Sequence, residues 1–264
     1  VAGTRGGLWR HRDFRLLWAG ETTSKLGSNV TTVALPLVAV LGLHAGPFTV
    51  GLLAAAAWVP WLVLGLPAGA WVDRLPRRPV MLCCDVVSAL ALASVPVAAW
   101  LGVLTVSQLV LVALLTGTGS VLFGTAYRVY LPVLVAPADL PEGNAKLQGS
   151  ESVAQIAGRG LAGVLAQWAG AVTGLLVDAV TFLVSAACLA AVSVREPPRP
   201  AARPRTTLRR EMAEGVRWVA RDRYLRSLAV FGAVANIALT GYQAINVLFF
   251  VRVAGIPPGA VGVL

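Results

Sequence analysis

GAWVDRLPRRPV, residues 69–80, places one acid and three arginines within the six positions from Asp73 to Arg78, between stretches that are almost purely apolar. Immediately upstream and overlapping it runs VGLLAAAAWVPWLVLGLPAGAWV (50–72), with no charged residue. About 20 apolar residues suffice to cross the hydrocarbon core of a bilayer. Residues 73–78 therefore read as the turn between two membrane-spanning helices, and the class of the chain follows from that reading.

Composition agrees. Of 264 residues, 57% are hydrophobic and 13% charged, with a mean hydropathy of +0.74. A soluble domain carries about 25% charged residues. An all-α integral membrane protein is expected, with a lipid bilayer as its surroundings. The net charge of +10 does not point to nucleic acid, because the basic residues are distributed by loop rather than gathered on one domain. Cys83, Cys84 and Cys188 lie within apolar runs and read as small packing residues. The first apolar run is too long and too polar for a cleavable signal peptide.

Apolar runs give seven candidate spans, at 16–42, 50–72, 79–100, 106–127, 147–168, 171–194 and 227–250. Internal prolines (Pro36, Pro60, Pro67, Pro96) are compatible with helices in a membrane, where neighbours re-satisfy the freed backbone groups. Arginine and lysine alternate by loop. The N-terminal arm holds Arg5, Arg10, Arg12 and Arg15; the second loop holds Arg74, Arg77 and Arg78; the fourth holds Arg128 and Lys146. Ten arginines lie between Arg195 and Arg226, whereas LHAGPFT (43–49), LGVLTVS (101–107) and WAGAVT (168–173) hold none. The positive-inside rule then sets the N-terminus in the cytoplasm of a multi-pass protein of the cell membrane.

The domain plan that follows is a six-helix bundle over 1–194, a basic linker over 195–226, and the start of a second bundle over 227–264. Within the linker, Leu208, Met212, Val216 and Val219 recur at helical spacing among arginines, predicting an amphipathic helix on the inner membrane face. The closing stretch VAGIPPGAVGVL (253–264) reads as an outer loop entering another helix, and residue 1 is Val rather than Met, so a fragment is expected.

In the opening stretch, any three arginines would hold a loop inside. Their order says more. Gly69 permits close helix approach, Asp73 can face the positive end of a neighbouring helix, and Arg77 and Arg78 can pair with acids on adjacent helix ends. Gly69, Asp73, Arg74, Arg77 and Arg78 resemble the G-x-x-x-D-R-x-G-R-[RK] loop of the major facilitator superfamily, with Pro76 in place of the glycine. DFRLLWAGETTSKLG (13–27), YRVYLPVLVAPADLPEGNA (127–145), VDAVTFLVSA (177–186) and EGVRWVARDRYLRSL (214–228) are similar to the macrolide-efflux and enterobactin-exporter-like branch. The resemblance implies the superfamily fold, here an N-terminal six-helix bundle plus the first helix of the second half of a normally twelve-span protein. It also implies that the 69–78 loop is a conformational latch, joined by Asp85 at the start of the third span and Arg128 at the end of the fourth.

Ionisable groups within spans are costly and usually face a pathway or each other. On the first span, Glu21, Lys25, Ser28 and Thr32 form a polar stripe. An intrahelical Glu21–Lys25 pair that lowers the insertion cost is favoured over a titrating Glu21, since the lysine keeps the carboxylate ionised. On the fifth, Gln148, Glu151, Gln155 and Arg159 share a face, and GRGLAG (158–163) stands where the exporters resemble G-P-x-L-G-G. With arginine in place of proline this helix is expected to be straighter. Arg159 and Asp178 are expected at similar depth and to pair, the alternative being that Arg159 binds an anionic substrate. On the seventh span, Asn236, Thr240, Gln243 and Asn246 line either a cavity or a helix contact. GTGS (117–120) reads as close helix packing.

No phosphate-binding loop of the G-x-x-x-x-G-K-[ST] type occurs, and His11 and His44 form no metal or triad arrangement. No enzyme activity, cofactor or metal is expected. The favoured function is a secondary transporter, a proton-coupled exporter of amphipathic small molecules such as drugs, macrolides or siderophores. It would work by alternating access and be monomeric at full length. The alternatives are a half-length, non-transporting or dimeric membrane protein that modulates a partner, and the membrane subunit of an ATP-driven transporter.

Overall fold

A computed structural model of the chain describes residues 7–194 and 217–252, and within the described residues it is helical with no strand. The chain divides into two compact units, Val1–Ala202 and Arg203–Leu264. The first unit holds α1 (Arg12–Leu37), α2 (Pro47–Arg74), α3 (Arg77–Trp100), α4 (Val106–Leu134), α5 (Leu140–Trp168) and α6 (Ala171–Ala191). The second holds α7 (Arg223–Arg252). Five helices are long and apolar enough to cross a membrane: α1 with its extension to Gly42, α2 as far as Gly65, α3, α4 and α6. Of the seven expected spans, those at α5 and α7 are not among these five; Glu142, Lys146, Glu151 and Arg159 punctuate α5.

The helix ends carry recognisable signals. Pro47 opens α2, where a missing N–H costs nothing. Thr105 caps α4 by accepting the Gln108 N–H at 3.3 Å, and Asp222 caps α7 by accepting from Tyr224 and Leu225 at 2.8 and 3.0 Å. Gly170, with φ 83°, takes the left-handed turn between α5 and α6 that favours glycine. Pro36 is followed by a single π-helical stretch, Val38–Gly42, in keeping with a proline's disruption of the i to i−4 ladder. The α2–α3 connection is only Leu75 and Pro76, and Pro76 sits at φ −63°, a value proline prefers, so no glycine is required there.

In the first unit α1 packs against α6 and α5, α2 against α4, and α3 between α4 and α6. Glycines set the closest approaches. A Cβ on Gly117 would meet the Ala57 carbonyl at 2.7 Å, and one on Gly158 would meet Asn29 Cβ at 2.6 Å. Gly27 lies against Asp178 and Thr181 with no room for a methyl group. Gly69, by contrast, has open space around it, so the close approach expected there does not occur within the described residues.

Two apolar clusters form the core. One gathers Val30, Ala34, Leu53, Leu92, Val112 and Leu175 toward the loops without arginine. The other gathers Leu8, Phe14, Met81, Ala126, Leu147 and Leu189 toward the basic loops. Every helix of this unit except α2 passes from one to the other through polar or small residues: Glu21 to Ser28 on α1, Asp85 and Ser88 on α3, Gly117 to Ser120 on α4, Glu151 on α5, and Ser185 on α6. That shared polar layer positions the site.

At the basic end, α6 is clamped from two sides. Arg78 donates to the carbonyls of Leu189 and Ala190 at 3.1 and 2.6 Å, as a cation at a helix C-terminus should. Asp13 accepts the N–H groups of Ser193 and Val194 at 3.2 and 3.0 Å. Trp9 stacks edge-on against Trp18 at 4.8 Å and lies 4.4 Å beneath Lys146, tying the N-terminal turn to α5.

Candidate functional site

The polar layer lines an open cavity of about 720 Å3 within the first unit. Its charged wall is built from α1 (Glu21, Lys25), α3 (Asp85), α4 (Arg128) and α5 (Glu151). Serines line it from four helices: Ser24 and Ser28, Ser88, Ser120, and Ser150. Trp61, Phe123, Tyr127 and Phe182 supply an aromatic wall, with Phe123 and Tyr127 stacked at 6.2 Å and 16°.

Lys25 is the hub. Its Nζ lies 3.8 Å from Glu21 and 3.4 Å from Glu151, bridging α1 to α5. The intrahelical pair expected from the sequence is present, but the lysine is shared with a second helix. Glu21 is the more enclosed acid, with 13% of its side chain exposed against 35% for Glu151. Three polar atoms on this wall are buried without a hydrogen-bond partner among the described residues: Thr22 Oγ1, Tyr127 OH and Asp85 Oδ2. Buried polar groups in proteins are normally satisfied.

Asp85 belongs to this cavity rather than to the loop at 69–78, two turns away along α3. Its neighbours there are Ser88 on its own helix and Ser185, which hydrogen-bonds it from α6. Asp73 and Arg74 are exposed, Arg77 is half-buried, and Arg78 is engaged at the end of α6. Arg128 is exposed where it borders the cavity.

Arg159 and Asp178 do not pair in this conformation. Asp178 is fully buried and accepts hydrogen bonds from Thr31 of α1 and Thr181 of its own helix, whereas Arg159 is exposed. Gln155 is exposed and does not line the cavity, while Gln148 does. Asn236 is exposed on α7. The side chains of Thr240, Gln243 and Asn246 lie outside the described residues, as do Leu208, Met212, Val216 and the stretch 253–264.

The sequence did not single out Thr22, Ser24, Ser88, Ser120, Tyr127 or Ser185. Ser88 stands one turn from Asp85 and so was within reach of helical spacing. The remainder come from three helices, α1, α4 and α6, and needed the packing.

A bundle of apolar helices around a polar cavity with side chains of both charges is that of a multi-pass membrane protein. Residues 7–250 match the family described as transmembrane secretion effectors, and the chain belongs to that family of the major facilitator superfamily. It is 31% identical over 230 residues to the multidrug efflux pump Tap of Mycolicibacterium fortuitum, covering 84% of this chain and 55% of that protein. An uncharacterized MFS-type transporter of Sinorhizobium fredii is 30% identical over 245 residues, covering 92% and 58%. Tap of Mycobacterium tuberculosis (strain ATCC 25618 / H37Rv) is 30% identical over 214 residues, covering 77% and 50%. The chain thus spans about half the length of the curated relatives it matches.

Proposed function

We propose that the protein works in proton-coupled efflux of amphipathic small molecules across the cell membrane, by alternating access and with its N-terminus in the cytoplasm. The observation that carries this reading is the Glu21–Lys25–Glu151 bridge inside the cavity. One cation between two carboxylates on different helices has two arrangements. A proton arriving on Glu21 removes its pull, and Lys25 turns wholly to Glu151; a proton on Glu151 does the reverse. Each arrangement changes the attraction between α1 and α5, which is how a proton can bias a conformational equilibrium. The aromatic and serine walls accommodate molecules with both apolar and polar surface. The family and the two relatives named as multidrug efflux pumps favour an outward direction. The loop at 69–78 serves as the latch region, and the full-length protein acts as a monomer.

The test is efflux of a fluorescent amphipathic dye from cells producing the protein, with and without a protonophore. Uncoupling should abolish efflux, and Lys25→Met should lower its rate at least about tenfold, equivalent to about 1.4 kcal/mol in the transition state. Efflux indifferent to the protonophore would remove proton coupling, and wild-type rates in Lys25→Met would remove the bridge as its seat.

A further inference from the structure

The residues before α1 form a bonded turn. Gly7 takes the left-handed φ of 59°, and the N–H groups of Arg10 and His11 bond to the carbonyls of Gly7 and Leu8 at 3.2 and 3.1 Å. The turn and the start of α1 are held in three places. Leu8 is 1% exposed and enters the apolar cluster with Phe14, Leu147 and Leu189. The Trp9 ring lies beneath Lys146 of α5. Asp13 holds the Ser193 and Val194 N–H groups at the exit of α6.

This turn meets α5 at a defined height. A Cβ built on Gly143 would touch Leu8 Cδ1 at 3.4 Å and Phe14 Cε2 at 3.6 Å, so α1 and α5 close here on a glycine. They close again on Gly158, against the Leu26 carbonyl and Asn29 Cβ. Phe14 and Asn29 are fifteen residues apart, and so are Gly143 and Gly158. Both helices rise about 1.5 Å per residue, so the two contacts fix a parallel pair in a single register. Lys25 and Glu151 stand between them on the cavity wall, 3.4 Å apart. With 40% and 35% of their side chains exposed, the two charges hold the helices together only weakly. The inner contact contributes more, because it includes a fully buried leucine.

We propose that residues 7–14 are a strap that sets α5 against α1, and that Leu8 and Trp9 are positioning residues for the Lys25–Glu151 bridge. With the strap docked, α1 and α5 move as one body and Lys25 stays within reach of Glu151. With it released, α5 keeps its contact at Gly158 and its inner end swings, carrying Glu151 away. Gly149 lies about 14 Å from Gly158 along the helix, so a tilt of about 15° moves it by about 4 Å. The inference rests on the transporter reading for its consequence in efflux. The placement of α5 is a property of the fold and is measured without transport.

The test is the distance between two spin labels on the purified chain in mild detergent, in a background with Cys83, Cys84 and Cys188 replaced. One label is attached at Leu41→Cys, exposed on the outer extension of α1. The other is attached at Gly149→Cys, toward the inner end of α5, or at Gly160→Cys, beyond the outer contact; both glycines have open space around them. Leu8→Ser should shift or broaden the distance to position 149 by about 4 Å and leave the distance to position 160 unchanged. Trp9→Ala should act in the same direction, and Trp9→Phe, which keeps a ring beneath Lys146, should not. Leu8→Ser should also lose dye efflux. An unchanged distance to position 149 in both Leu8→Ser and Trp9→Ala would overturn the proposal. So would equal changes at both positions, which general loosening would give, or full efflux in a Leu8→Ser chain whose α5 has moved. Trp9 is half-exposed, and its variants decide the matter if Leu8→Ser fails to fold. A moved α5 in the variants, with no efflux even from the unaltered chain, would retire the transport reading and keep the strap. Efflux with α5 unmoved would do the opposite.

Discussion

Glu142 shows how one side chain works at the basic end of the bundle. Lys146 lies 2.7 Å from it along the first turn of α5, so the carboxyl is held below the usual glutamate range, the lysine hydrogen bond contributing most. A carboxyl whose folded pKa is depressed contributes stability above its unfolded value and loses that contribution as pH falls through the folded value. The expected result is that Glu142→Gln lowers the thermal midpoint at neutral pH and that the difference from wild type shrinks to nothing in acid, below the usual glutamate range. Thermal unfolding in detergent across pH checks it, and a difference independent of pH would be inconsistent with the pairing. The effect should be small because Glu142 is exposed to solvent. Its structural use is to steady Lys146 over Trp9.

At the scale of the element, α5 joins α1 through a glycine as well as through Lys25. A methyl group at Gly158 would meet both Asn29 Cβ and the Leu26 carbonyl below 3 Å, whereas one at Gly160, two residues on, meets nothing within 4 Å. Gly158→Ala should therefore destabilise the chain by about 1–3 kcal/mol through overpacking. Gly160→Ala should be neutral or stabilising by up to about 1 kcal/mol, since alanine is the better helix former. Thermal unfolding of the two variants side by side decides the matter, and equal effects would mean the α1–α5 contact is looser than described. The fifth helix runs unbroken from Leu140 to Trp168. The physical reason is that Arg159, unlike a proline, keeps its backbone N–H.

At the scale of the whole molecule, the loops without arginine and the basic loops lie at opposite ends of the first unit, and the cavity lies toward the basic end. If the positive-inside reading is right, Ala45→Cys will react with an impermeant thiol reagent added to intact cells. Ala138→Cys will react only after permeabilisation. Both are made in a background with Cys83, Cys84 and Cys188 replaced. The reverse pattern would invert the orientation, and with it the side to which the cavity is nearer.

Much of this architecture was legible in the residues. Six helices of the first unit fall where apolar runs end at charges or glycines, and Glu21 and Lys25 stood out because a charge within an apolar run is itself a signal. The sequence by itself also determined the membrane class, the family loop at Gly69 to Arg78 and the alternation of basic loops, because these depend on composition and local spacing. Only the tertiary structure decided which polar groups meet. It gave Lys25 to Glu151 as well as Glu21, moved Asp85 from the loop cluster to the cavity, and satisfied Asp178 with Thr31 and Thr181 instead of Arg159. Apart from the Asp178–Thr181 bond within one helix, those pairings depend on helix register and crossing between segments more than 60 residues apart, which no local pattern encodes.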